Sequence, residues 1–262
     1  MFNKLLLTTF YTLLEKDITI YNKKLIYRSI DAIVWMSSSL LVTHNLMPLF
    51  GIKDPHYGTF VFLGNLAVWG LFEMLTSIAL FIADIQGDKA ISYYMSLPIP
   101  SYLLFIEEAL ASAYRSIASS ILMIPLGKII LGKSFIISNV HWFHFFLALC
   151  IINIFYGFLT IFVASYIPDL AGLTMVRSRI MFPLWFLGGF QFSWKMLKTV
   201  CPSLAYISLC NPLFYVMEGL RSTGLPAENY IPFWCSMSML ICFSILFAYI
   251  GIYRLKKRLD CI

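Results

Sequence analysis

Residues 127–134 read GKIILGKS, a letter-perfect match to the phosphate-cradling loop G-x-x-x-x-G-K-[ST]. If Gly127, Gly132, Lys133 and Ser134 cradle phosphate and magnesium, the chain contains a soluble nucleotide-binding domain. That chemistry needs a strand before the loop and a helix after it, so that backbone N–H groups wrap the anion. The flanks deny it. SSILMIPL precedes the stretch as the end of a long apolar run, and FIISNVHWFHFF follows as the start of another. The match therefore reads as the end of a membrane helix, with Lys128 and Lys133 reaching toward polar surroundings.

Composition agrees with that reading. Of 262 residues, 60% are hydrophobic, 17% aromatic and only 12% charged, and mean hydropathy is +0.81. Soluble domains carry about 25% charged residues, so this chain lacks the polar surface for a water-facing globule. Apolar runs of membrane-spanning length recur. Spans are expected near 30–50, 58–84, 102–131, 142–166, 174–194 and 232–253, in an all-α integral membrane protein. The N-terminal segment 1–29 lacks a cleavage signature and places Leu6, Phe10, Leu13 and Leu14 on one helical face. It is expected to be an amphipathic helix in the membrane interface, ahead of one six-span domain over 30–262.

The net charge of +6 is distributed as topology signals and implies no nucleic-acid partner. Lys4, Lys16, Lys23, Lys24 and Arg28 lie before the first span, and Arg254, Lys256, Lys257 and Arg258 follow the last. Lys89, Arg177 and Arg179 fall on the same side. The opposite side holds Lys53, Lys128, Lys133, Lys195, Lys198 and Arg221. The positive-inside rule then makes both termini cytoplasmic and the 127–134 stretch external.

Little conventional catalytic chemistry is visible. His141 and His144 are a turn apart in HWFH, but no carboxylates cluster with them in sequence, and they read as interfacial residues beside Trp142. No metal-type cysteine spacing occurs among the six cysteines. Cys201 and Cys210 share a polar-flanked segment, where a disulfide and two free thiols both remain open. No metal site, nucleophile–base pair or catalytic residue is expected.

Charge inside the spans is more informative. Glu73 and Arg115 are mid-span residues, and intramembrane ions are costly unless paired. Each lies about 20 residues from the centre of the intervening loop, so at 1.5 Å per residue both reach similar depth. A Glu73–Arg115 pair is expected. Within that loop, DIQGDKAISYYMSLPIPS (84–101), Gly87 ends one helix, and Pro98 and Pro100 bound a short helical piece. The segment 195–231 is long and half apolar, and it suits a hairpin dipping back into the membrane from outside. Asn211-Pro212 reads as a cap and first helical residue, with Glu218 and Arg221 placed to pair one turn apart.

FPLWFLGGFQFS (182–193) followed by CNPLFYVMEGLRSTGL (210–225) resembles the signature of type-2 ABC-exporter permeases. Gly188-Gly189, Asn211, Pro212, Gly219 and Arg221 match that family's pattern in order and spacing. The 85–98 segment resembles its coupling helix, departing from the pattern at Asp88. The resemblance implies a bacterial inner-membrane permease, homodimeric and free of its own nucleotide site. A separate ATPase subunit would carry ATP and magnesium. It would dock on the N-terminal helix and on Gly87, Tyr93, Tyr94, Met95 and Pro98. Spans two and five would meet across the dimer, with Trp69, Phe72, Trp185, Phe186, Gly188 and Gly189 along a passage for an amphipathic lipid, glycan or drug-like cargo. The alternative class is a non-transporting membrane enzyme or scaffold.

Overall fold

The computed structural model describes residues 2–51, 54, 56–87, 90–97, 99–132, 134–136, 138 and 140–259, and among these every regular element is helical. α1 (Phe2–Lys23) is followed after one residue by α2 (Leu25–Leu41), which a π-helical turn and a 3-10 turn extend to Phe50. α3 (Tyr57–Gln86), the short α4 (Ala90–Met95), α5 (Ser101–Leu131) and α6 (Trp142–Ala164) come next. The chain is then more broken. α7 (Leu170–Val176) and α8 (Phe182–Leu187) are joined by a π-helical segment, and α9 (Trp194–Val200), α10 (Pro202–Ser208) and α11 (Pro212–Arg221) precede the final α12 (Phe233–Leu259).

Among the described residues, six stretches are long and apolar enough to cross a membrane: Leu25–Phe50, Tyr57–Gln86, Ser101–Leu131, Trp142–Ala164, Leu170–Leu187 and Phe233–Leu259. The fifth differs from the expected 174–194. Asp169 starts it early, its carboxylate accepting from the Gly172 N–H at 2.7 Å. Gly189 ends it, with φ +80, a left-handed conformation that a side chain would strain. Arg177 and Arg179 consequently lie about two turns inside this stretch, exposed, rather than flanking it.

α3 is apolar all round and is the most buried span, which places it at the centre of the bundle together with α6. α2 buries only the stripe Ser29, Ala32, Met36 and Leu40. Its other face carries exposed Ile26, Tyr27, Ile30 and Val34, a surface suited to hydrocarbon. Between α3, α5 and α6 the contacts use small and hydroxylic residues. Ser112 donates to Ser77 at 3.2 Å and lies 3.5 Å from Thr160. Small residues let helix backbones approach, and shared hydroxyls join them where apolar burial alone gives little preference.

The 127–134 stretch is explained by this packing. Gly127 lies within α5, where a Cβ would collide with the Phe62 ring. Gly132 ends the helix at φ +53, and Lys128 donates to the Gly132 and Phe135 carbonyls, both at 2.7 Å. A helix carbonyl end repels phosphate, whereas its N–H end would attract it. Lys133 itself lies outside the described residues.

Candidate functional site

α3 rises about 1.5 Å per residue over its 30 residues, so its two ends lie some 45 Å apart. Each end carries a cluster of buried charge. The end near α4 is built by three helices. Asp84, near the end of α3, accepts from the Ile91 N–H at 2.8 Å and so fixes the start of α4. Gly87 ends α3, its N–H donating to the Ala83 carbonyl at 2.9 Å. From α1, Lys16 donates to the Tyr94 hydroxyl at 2.9 Å, with its ammonium 4.3 Å from the ring centroid. Leu13, Ile99 and Leu104 form a small apolar cluster against which Tyr94 and Met95 pack.

The three residues expected to anchor a partner therefore divide. Tyr94 and Met95 turn inward and brace α4, whereas Tyr93 is 65% exposed. An i, i+1 pair on a helix cannot share a face, so adjacency in the sequence could not supply two outward anchors. Pro98 and Asp88 lie outside the described residues.

Behind α4, Arg115 pairs with Glu108 at 2.7 Å and Lys16 with Asp17 at 3.0 Å. The expected Glu73–Arg115 pair is not what forms. Arg115 donates instead to Ser77 at 3.3 Å, and Glu73 accepts from Ser119 at 3.4 Å. α3 and α5 run antiparallel with Ser77 opposite Ser112, close to the register expected from depth. The Glu73 and Arg115 side chains lean toward the N-termini of their own antiparallel helices and so diverge, Glu73 to Ser119 and Arg115 to Ser77 and Glu108. Glu108, two turns before Arg115 on its own helix, takes the ion pair. No metal-ligand grouping is visible in the sequence, yet the fold brings one carboxylate oxygen from each of Asp17, Glu107 and Glu108 within 4.8 Å of one another. Residues 90 apart in the chain meet here, which explains why spacing could not reveal the group.

The aromatic residues expected along a passage do converge, with one addition. Phe72 packs edge-on to Trp69 at 5.9 Å and to Trp185 at 5.8 Å, and Trp185 lies 4.6 Å from Phe186. Trp35 of α2 completes the cluster, 5.1 Å from Phe72, and donates its indole N–H to Asn65 at 3.1 Å. Its signal was available as an indole mid-span. Beside these rings is a cavity of about 440 Å³ lined by Arg28, Asp31, Trp35, Trp69, Phe72, Glu73 and Thr76. It combines aromatic walls with both signs of charge. The indole N–H groups of Trp69 and Trp185 are buried without a hydrogen-bond partner among the described residues.

The opposite end of α3 meets the hairpin. Asn211 caps α11, accepting from the Leu213 N–H at 3.0 Å and donating to the Leu184 carbonyl at 2.7 Å, with Pro212 as the first helical residue. Glu218 and Arg221 are both fully buried, but they do not pair with each other as expected. Arg221 donates to the carbonyls of Phe60 at 3.3 Å, of Phe190 at 2.6 Å and of Gly189, and its guanidinium lies 3.5 Å from the Phe60 ring centroid. Glu218 accepts from the N–H groups of Trp194 at 3.2 Å and Ile231 at 3.0 Å. Each charge thus serves backbone groups, most of them where helices break. Gly188 and Gly219 lie at the tight contacts of α11, with Leu213 and Met237 respectively.

The remaining expectations resolve simply. Cys201 and Cys210 are free thiols. His141 and His144 have ring centroids 6.0 Å apart, and His144 packs edge-on to Phe233 at 4.7 Å and to Trp234 at 5.7 Å. Set against models of known families, curated proteins and solved structures, the chain shows no match.

Proposed function

We propose that this chain is the permease subunit of an ABC exporter, a bacterial inner-membrane homodimer whose transport is driven by a separate ATPase subunit. The observation that carries the reading is the α4 platform. A six-residue helix at the end of the two longest spans is braced from behind by α1 and presents one large aromatic side chain, Tyr93, outward. A braced helix transmits force, and an exposed aromatic is the usual anchor of a helix lying in a partner's groove. On this reading the α4 end, the termini and the ATPase are cytoplasmic. α1 lies along the membrane interface among the lipids, and α9–α11 form a hairpin entering from the outside.

The cavity beside Trp35, Trp69, Phe72 and Glu73 would contact the cargo. Aromatic walls with Arg28, Asp31 and Glu73 at one side suit an amphipathic lipid, glycan or drug-like molecule. The exposed fifth span, with Phe186 half exposed, is the available face for a second copy. In this scheme the chain itself catalyses no reaction, and ATP and magnesium belong to the partner.

The test is copurification of the tagged chain with an ABC ATPase from its source membrane. Tyr93→Ala should release the ATPase at least tenfold while the permease stays folded and inserted. A chain that purifies without any ATPase would sink the reading, as would crosslinks placing the ATPase on 195–231 and none on α4.

A further inference from the structure

We propose that the pocket where α1, α4 and α5 meet is a cation site, in which Asp17, Glu107 and Glu108 hold a hard divalent metal ion. Glu107 carries the argument. It is 93% buried by its 7% exposure, and its Oε1 has no hydrogen-bond partner among the described residues. A buried carboxylate without donors is strongly disfavoured, so a positive occupant is called for.

Among the described residues, each neighbouring cation is ion-paired with another carboxylate. Arg115 bonds one oxygen of Glu108, and Lys16 bonds one oxygen of Asp17. Of the three carboxylates in the group, Glu107 is the one with no ion pair among the described residues. A proton on Glu107 would satisfy that group alone. It would not account for three acidic side chains converging from two helices to within 4.8 Å.

That spacing suits a metal. Oxygens bound to calcium at about 2.3–2.6 Å can lie up to about 5 Å apart, which covers the 4.8 Å limit here, whereas those bound to magnesium at about 2.0–2.1 Å reach only about 4 Å. The donor set is all carboxylate, which favours hard ions over zinc or copper. The pocket these residues line has a volume of about 250 Å³, open to one side and large enough for waters to complete the oxygen shell of calcium. An ion there would tie α1 to α5 directly beneath Tyr94 and Met95, which line the same pocket, and so would stiffen the α4 platform.

The inference concerns this chain's own side chains and is independent of what α4 docks. The purified full-length chain, stripped with EDTA, is titrated with Mn2+ and followed by electron paramagnetic resonance. Its melting temperature is measured in magnesium or calcium against sodium chloride of equal ionic strength. One saturable Mn2+ per chain is expected, with a melting point raised by several degrees by a divalent ion. Glu107→Gln and Asp17→Asn should each weaken Mn2+ binding at least tenfold and remove the shift, while Glu228→Gln, at an exposed position away from the pocket, leaves both unchanged. If Glu107→Gln fails to fold, Asp17→Asn, at a partly exposed position on α1, decides. Folded wild-type chain with no saturable binding overturns the proposal, and so does equal affinity in the Asp17 and Glu107 variants. Stabilisation by Glu107→Gln without metal binding by the wild type also overturns it, identifying a protonated carboxyl instead.

Discussion

The hairpin end and the α4 end of the bundle both bury glutamate and arginine, yet they handle the charges in opposite ways. At the hairpin, Arg221 spends its guanidinium on three carbonyls and an aromatic face, and Glu218 takes two N–H groups. Apart from the Phe60 carbonyl, which lies in the first turn of α3, those backbone groups are free because α8 stops at Gly188–Gly189 and α12 starts only after Tyr230. The charges replace the missing helical hydrogen bonds and close the structure. At the α4 end, Arg115 holds Glu108, but Arg115 Nε and Glu107 Oε1 are left without partners beside an open pocket. Burial of charge is common to both ends. Only the degree of hydrogen-bond satisfaction separates a structural lock from a site ready to take a ligand.

The largest effect should come from breaking the lock. Arg221→Ala strands the carbonyls of Gly189 and Phe190 and leaves a void at Phe60. Removing one side of such a buried charged network costs about 3–5 kcal/mol. We expect little folded protein on detergent size-exclusion chromatography, and Arg221→Lys should rescue only partly because an ammonium lacks the planar fork. A variant that melts with the wild type would erase the distinction between the two ends.

A smaller effect should sharpen the α4 end. In a double-mutant cycle, Arg115→Ala and Glu108→Ala should couple by about 0.5–3 kcal/mol, as groups in direct contact do. Arg115→Ala and Glu73→Ala should add to within about 0.5 kcal/mol. Thermal melts that give the stronger coupling to Glu73 would restore the pairing expected from depth alone.

The smallest effect belongs to the 127–134 stretch, which lies at neither charge cluster. Lys133→Ala should leave the ATPase activity of a reconstituted complex within twofold of wild type. Abolished activity in that assay would place this stretch, instead of the partner subunit, at the nucleotide.

Much of the architecture was legible in the chain. Runs of apolar residues gave the six spans, because a membrane demands length and apolarity, both of which are local properties. Asn211-Pro212 gave the start of α11, since a cap acts through bonds to its immediate neighbours. The fifth span was read four residues late because its start is set by Asp169, a cap placed before the strictly apolar run begins. Tyr93 and Tyr94 looked equivalent until the helix was seen to turn one outward and the other onto Lys16.

What the sequence determined by itself was the class of protein, the number of spans and the approximate depth of each charge, since rise per residue is nearly constant along a helix. What only the tertiary structure decided was which charges meet. Depth leaves the rotation of each helix about its axis and its sliding against a neighbour undetermined. Packing fixed both, through Ser112 against Ser77 and Thr160 and through Gly157 pressed to the Ala109 backbone. With that packing fixed, the side chains of Glu73 and Arg115 lean toward the N-termini of their antiparallel helices and diverge, which gives Arg115 to Glu108, sets Glu73 against Ser119 and leaves Glu107 facing Asp17 across the pocket.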